Sequence, residues 1–570
     1  MTAATSAGPR RFTGITRPRL ALALPLLAAT LGVLAPAAAP PAARASATQQ
    51  SMFQDDNLLL FRGDETADRT LRELKGLGVT AVRVTVPWRA FAPDHRALTR
   101  PAALTDPTDP AQYDPVVFDL HDHLLRVANR LGIRVLFNVT GGAPAWATGR
   151  RGRGARKVFV SLQYKPDPKA FRQFVQMLGT RYDGTHTDEN QGGAKLPRVD
   201  MWSIWNEPNQ GAGLQPQWER TPKNRYVPVA PRIYRGLAQG MLSALRVTGH
   251  GGDTILLGET APRGVNRRTI TGSLRPVPFL AGVLCLSAQS LAPLTGRAAS
   301  DQGCDRRSAS RRLAVTGYGH HPYSIVSSPD TPDPDPRDIT LADAPRLGRL
   351  LDAGAAEGVL PAGLPYWWTE YGWQTLPPDP VRGVDPLRQA QWLAEAERQT
   401  RSDPRVAALT QFLLVDDLPR DEPGQTLERK WGTYQTGLRL ADGTAKPGYD
   451  AYRMPFAITA GSRPGRPATG FAFVRPVAGG AVTAATTLQL QHAPAGSEEY
   501  ADVGAPVDVP ASGLLDVPIP MLEPGRYRFR WSPPAAPAPP RGGIPGLLAP
   551  APSVVAPAVF TSAVASVPAP

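Results

Sequence analysis

From about Asp56 to Phe456, short apolar, β-branched runs alternate with longer segments whose apolar residues recur at helical spacing. Residues 58–61 are expected to form a first strand. The second is 81–86, stopped by Pro87, followed by 134–139, 199–204, 254–257, 313–318, 364–369 and 406–415. Between them the apolar spacing predicts helices over 68–77, 116–131, 169–182, 231–247, 344–358 and 386–400. Gly78 and Gly132 stand just past two of these helices, where a left-handed cap favours glycine. Strands separated by helices pair in parallel through right-handed crossovers, and eight such units close into a (β/α)8 barrel of the α/β class. The barrel is placed at 48–456.

After residue 452 the period changes. Alternating runs such as Thr487-Leu488-Gln489-Leu490-Gln491 predict a small antiparallel β-sandwich over 457–531. Pro and Ala dominate 532–570, which reads as a disordered tail. Two irregular insertions, 93–114 and 262–312, fall after strands, on the face where barrel loops build a site.

The N-terminus changes the picture of where the chain works. Arg10, Arg11, Arg17 and Arg19 precede an apolar run over 20–34, and small residues lead to Ala45-Ser46-Ala47. This reads as a signal peptide, 1–47, and implies a secreted protein with no membrane span once it is removed. Its removal takes away five arginines and no acids, so the formal charge falls from +14 to +9. That balance suits anionic cell-wall polymers or acidic glycans, and equally a solvated arginine-rich surface. No segment interleaves basic and aromatic residues as a nucleic-acid surface would. Cys285 and Cys304, an even count in an exported chain, are expected to form a disulfide. No Cys/His spacing suggests a metal, and no cofactor motif is present.

The chemistry concentrates in Trp205-Asn206-Glu207-Pro208, after the fourth strand, and Thr369-Glu370-Tyr371-Gly372, after the seventh. Barrel sites form at the carboxyl ends of strands, so both glutamates face one mouth although 163 positions (370 − 207) separate them. Sugar cleavage needs such a pair. Strict alternation sends Asn206 and Glu207 to opposite faces, so both reach the site only if the strand breaks there, as Pro208 allows. Arg83 interrupts an apolar strand. A buried cation needs a partner, and Glu370 is the one expected. Pyranose faces pack on aromatic rings, which makes Trp88, Trp146, Trp373 and Trp431 candidate sugar platforms, Trp88 and Trp373 foremost. Asn138 and Glu259 end strands three and five and are candidates for the same mouth, with a helix cap as the other reading for Glu259.

The two glutamate motifs, in this order and on these strands, resemble the clan A retaining glycoside hydrolases, which include the cellulase-like family 5 and the xylosidase-like family 39. The resemblance spans roughly 56–456. It implies a secreted retaining O-glycosidase acting by double displacement on a poly- or oligosaccharide, at a β-linkage. Glu207 would be the acid/base, protonated at the start, and Glu370 the ionised nucleophile. Asn206 would bind the sugar 2-hydroxyl. His321 and Tyr323 of Gly319-His320-His321-Pro322-Tyr323 would line the site, with Tyr323 donating to Glu370 and His320 as the alternative in a shifted register. The eighth strand lacks the tryptophan often found at its end in this clan, and Trp431 would substitute for it. A transglycosidase and a non-catalytic carbohydrate-binding barrel remain open alternatives.

Overall fold

Eight parallel strands close into a barrel in which each strand pairs with the barrel strands before and after it in the chain, and the last pairs with the first. The computed structural model describes residues 48–149, 162–304, 312–459, 462–475, 486–531, 560–562 and 564–568. The strands are β1 (Gln50–Gln54), β2 (Ala81–Pro87), β3 (Arg134–Thr140), β4 (Met201–Ile204), β5 (Thr254–Thr260), β6 (Gly317–His320), β7 (Tyr366–Tyr371) and β8 (Val406–Phe412). The main outer helices are α1 (Asp64–Gly76), α2 (Asp119–Leu131), α3 (Pro168–Arg181), α4 (Ala230–Val247), α5 (Ala344–Ala356) and α6 (Pro386–Ser402). The fold is therefore the expected (β/α)8 barrel.

Two strand assignments are corrected. Residues 58–61 are not a strand: Asn57–Phe61 forms a helical turn, started by Asp55, whose carboxylate accepts the Leu58 amide at 3.0 Å. A short apolar run does not reveal its period, and the real first strand lies seven residues upstream of Asn57. The sixth strand is Gly317–His320 rather than 313–318. Its glycines weaken the β signal, but they leave room for neighbours. A Cβ on Gly317 would lie 2.7 Å from the Trp367 ring, and one on Gly319 would lie 3.1 Å from the Glu259 carboxylate.

Period-2 alternation builds the interior in layers. Met52, Ala81, Leu136, Met201, Leu256, Trp367 and Ala408 form one closed apolar cluster. Two residues further along the strands come Gln54, Arg83, Asn138, Ser203, Thr369 and Thr410, all buried and all polar. This second layer is the floor of the site.

Beyond the barrel, two antiparallel sheets share one apolar core that includes Phe456, Val517, Leu490 and Phe529. The core continues onto α6 through Ala390 and Ala394. A buried ion cluster joins the two parts. Glu397 on α6 pairs with Arg401 at 2.6 Å and with Arg475 of the sandwich at 2.7 Å, and Arg475 also donates to Ser51 on β1 at 3.0 Å. The tail expectation is corrected at its far end. Phe560–Thr561 and Ala565–Val567 are strands paired with Gly525–Trp531, because that edge offers unpaired backbone to any extended segment within reach. Residues 532–559 and the signal segment 1–47 lie outside the described residues. No helix among the described residues is long and apolar enough to cross a membrane. Cys285 and Cys304 form a disulfide that closes a 19-residue separation.

Candidate active site

Three irregularities in the barrel strands carry three glutamates to one place. At the end of β4, Trp205 (φ 66°) and Glu207 (φ 42°) both take left-handed backbone conformations, which break the strand. The broken end is held from several sides. The Glu207 amide donates to the Glu259 carbonyl at 2.8 Å, and Asn138 donates to the Trp205 carbonyl at 2.6 Å. Gly213 packs so closely behind the turn that a Cβ there would lie 2.6 Å from the Glu207 carbonyl oxygen and 2.7 Å from that of Asn206. On β5, Gly258 and Thr260 pair with consecutive residues of β6, which leaves Glu259 (φ 50°) in a bulge. On β7, Trp368 and Tyr371 pair with Leu409 and Gln411, so β7 carries one extra residue beside Glu370.

Arg83 sits beneath all of this, fully buried. It donates to Glu370 at 3.0 Å, to Asn206 at 2.8 Å and to Glu259 at 3.1 Å, and it also bonds Gln54. His321 forms the second hub. Its Nδ1 lies 3.0 Å from Glu207 and 3.5 Å from Glu370, and its Nε2 lies 3.0 Å from Glu259. The Tyr323 hydroxyl donates to Glu370 at 3.2 Å. One carboxylate oxygen each of Glu207 and Glu370 and one nitrogen of His321 all lie within 4.8 Å of one another.

Burial opposes charge on Glu259, but Arg83 and His321 hold its carboxyl down at about 2, so it is the fixed buried counterion of both cations. Burial also opposes charge on His321. The Glu370 charge and the bonds to Glu207 and Glu259 overcome it and raise the imidazole to about 9. With both ring nitrogens facing carboxyl groups, His321 ties the three glutamates into one charge network. His320 points away, bonded to Thr260 at 2.7 Å and to the Ile339 carbonyl at 2.9 Å, and burial lowers it to about 3. Burial likewise raises the Glu370 carboxyl, His321 and Arg83 pull it back, and Glu207 and Glu259 push it up again, leaving it above its ordinary value. Both of its oxygens nevertheless accept bonds, Oε1 from Arg83 and Oε2 from Tyr323. The two donors and the nearby imidazole favour the ionised form.

The His321 shift makes stability depend on pH. Its folded value lies above its ordinary 6.5, so its contribution is complete below about pH 6.5 and is lost as pH rises through about 9. Urea midpoints measured across that window are expected to fall more steeply in the parent protein than in His321→Gln. Equal slopes would show that the imidazole carries no such charge.

The mouth opens as a cleft of about 410 Å³ lined by Glu207, Glu370 and Tyr323, with the loops after β5, β7 and β8 around them. Several expected ligands are elsewhere. Trp88 is core, packed on Phe171 and Phe174 of α3 at 5.5 and 5.8 Å. Trp373 is core as well, bonded to the Ser327 carbonyl at 3.0 Å and packed on Trp392 at 5.2 Å. Trp146 stands edge-on to Trp88 and lines a separate groove with Lys165 and Asp167. Trp431 caps the short helix Leu427–Lys430 and does not line the cleft. Asn138 braces the broken β4 and Glu259 lies under the floor, so neither reaches substrate space and Glu259 caps no helix. Large aromatics at strand ends fill the layer between barrel and helices as readily as they face the mouth. Conversely, no pattern in the chain singles out Gln54, which bonds Arg83, or Tyr434 and Arg382, which line the cleft. The two cleft residues sit in loops, where no period marks a residue as facing inward.

No protein-family model matches the chain, and no curated protein matches it. Solved structures of similar shape include a family 39 glycoside hydrolase from the gut symbiont Bacteroides cellulosilyticus WH2, at 15% identity and TM-score 0.44, covering 85% of this chain and 81% of that one. GH5_18 from Streptomyces cattleya, in complex with GlcNAc, is similar at 16% identity and TM-score 0.41, covering 71% of this chain and 79% of that one. The endo-beta-1,4-mannanase from Thermotoga petrophila is similar at 10% identity and TM-score 0.39, covering 92% and 98%. At such identities residue roles do not transfer from one chain to another, and the chemistry has to come from this site.

Proposed function

We propose that this protein is a retaining O-glycoside hydrolase. The observation that carries the reading is the pair Glu207 and Glu370, with one carboxylate oxygen of each within 4.8 Å of the other at the mouth of a closed barrel. Retaining enzymes hold their carboxyl groups about 5–5.5 Å apart, whereas inverting enzymes leave about 6.5–9.5 Å for a water. Glu370, held by Arg83, Tyr323 and His321, attacks the anomeric carbon. Glu207 protonates the departing oxygen as the C–O bond breaks, and then takes a proton from the water that releases the sugar from Glu370. Glu207 is the more exposed of the two side chains, 31% against 12%, as suits a group that exchanges its proton with water and leaving group. The carbonyl of Asn206 is occupied by Arg83, which leaves its NH₂ to donate to a sugar hydroxyl.

The basic, apolar N-terminal segment and the disulfide support a secreted enzyme. The formal charge of +9 that is left once residues 1–47 are removed supports association with an anionic cell wall. The test is a panel of aryl β-glycosides and polysaccharides with the anomeric configuration of the product followed by NMR. Release of the β-anomer first from a β-glycoside is expected. First release of the α-anomer would exclude double displacement, and binding without hydrolysis across the panel would favour a non-catalytic barrel.

A further inference from the structure

The cleft has two chemically different walls. Next to Glu207 the loop after β5 contributes Ala261, Pro262, Gly264 and Val265, with the Arg263 guanidinium turned to Asp333 at 2.6 Å, and Ile325 from the loop after β6 adds to the apolar lining of the cleft. Beside Glu370 the wall is polar, with Gln374, Arg382, Tyr434 and Thr436. The apolar wall belongs to the Glu207 side physically as well as in chain order. The Gln210 amide, three residues past Glu207, donates to the Arg263 carbonyl at 2.6 Å, and the Glu207 amide bonds the end of β5.

Val265 is 49% exposed and Ile325 39% exposed, and Val326 beside it is 55% exposed. Ile325 also has φ 63°. A β-branched residue at positive φ is a true backbone outlier, and such strain collects at ligand clamps, where the surrounding structure enforces it. Among the described residues, no tryptophan lines this cleft to stack a run of sugar rings.

We propose that the leaving-group side of this site takes an apolar aglycone, an alkyl or similar lipid-like chain, rather than a further sugar. The inference rests on the glycosidase reading, since that reading makes Glu207 the proton donor to the leaving oxygen and so assigns the adjoining wall to the leaving group. The sugar then lies against the polar wall and Glu370. An aglycone on Pro262, Val265 and Ile325 removes apolar surface from water on both partners.

The experiment compares kcat/KM for an octyl and a methyl glycoside of whichever sugar the aryl panel selects, together with the β-linked disaccharide of that sugar. The octyl compound is expected to exceed both others by about 10-fold or more. Ile325→Asn and Val265→Asn are expected to bring the octyl-to-methyl ratio towards one, mainly through KM. Asparagine is at ease at positive φ, so Ile325→Asn relieves backbone strain and the fold is not in question. A disaccharide cleaved as well as the octyl glycoside, or a ratio unmoved in both variants, would overturn the inference and leave the glycosidase reading standing. No hydrolysis of any aryl glycoside would remove both.

Discussion

Glu370→Gly is expected to lower kcat by roughly 10⁴-fold or more while the protein stays folded. On the proposed assignment the attacking atom is lost and nothing else can replace it, since Glu207 serves the leaving group and Glu259 is fully buried. The fold is expected to survive because neither buried cation is stranded. Arg83 keeps Glu259 at 3.1 Å, and His321 keeps both Glu259 and Glu207 at 3.0 Å. Circular dichroism and a denaturant midpoint check the fold, and steady-state rates on an aryl glycoside check the chemistry. Near-parental turnover would move the nucleophile elsewhere. The companion variant Glu207→Ala separates the two roles. Its rate is expected to fall far less on substrates whose leaving group departs as a stable phenolate, since these need little protonation. A uniform fall across leaving groups would remove the acid role.

The second large effect is on stability. Arg83→Met is expected to destabilise the protein by about 3–5 kcal/mol at pH 8, because removing one partner leaves buried carboxylates uncompensated. Glu259 would retain His321 as its one cationic partner, while Glu370 would retain His321 and Tyr323. The cost is expected to shrink at pH 5. Without the cation the folded pKa values of Glu370 and Glu259 rise, the folded state takes up protons more readily, and stability grows as pH falls. The acid limb of turnover in the folded fraction is expected to move to higher pH for the same reason. Arg83→Lys is not expected to rescue either property. A single ammonium cannot span Glu370, Asn206 and Glu259, which the planar guanidinium reaches with two nitrogens. Equal stability of Arg83→Met and parent at pH 8 would show that the carboxylates below the mouth are solvated or neutral.

The buried cluster Glu397, Arg401 and Arg475 bears on the sandwich. Arg475 is held by α6 and β1, and the shared core runs through Ala390 and Ala394. This arrangement braces the barrel from the face of α6, and the groups that lock the sandwich in place are themselves out of solvent.

The hydrophobic pattern by itself determined the class of fold, the order of the strands and the two acid-bearing strand ends. Period 2 and period 3.6 are local properties that survive without knowledge of the partner. It also identified Arg83 as a buried cation, since a charge in the run Ala81–Val86 can only point inward or be lost. It did not determine which side chains meet. Alternation would have sent Asn206, Glu259 and Glu370 to the outer face of the barrel. Left-handed residues at β4 and bulges on β5 and β7 turn them inward, and a bulge exists only between two paired strands. The tryptophans show the converse. Trp88 and Trp373 occupy strand ends suited to a sugar platform, yet α3 and α6 are packed against them. Whether an aromatic ring faces a helix or the mouth depends on elements about 20 to 85 residues away in the chain. The charge network around His321 and Glu259 was decided by tertiary structure alone, because the sign and extent of each shift depend on how many opposite charges close in around a group that burial has removed from water.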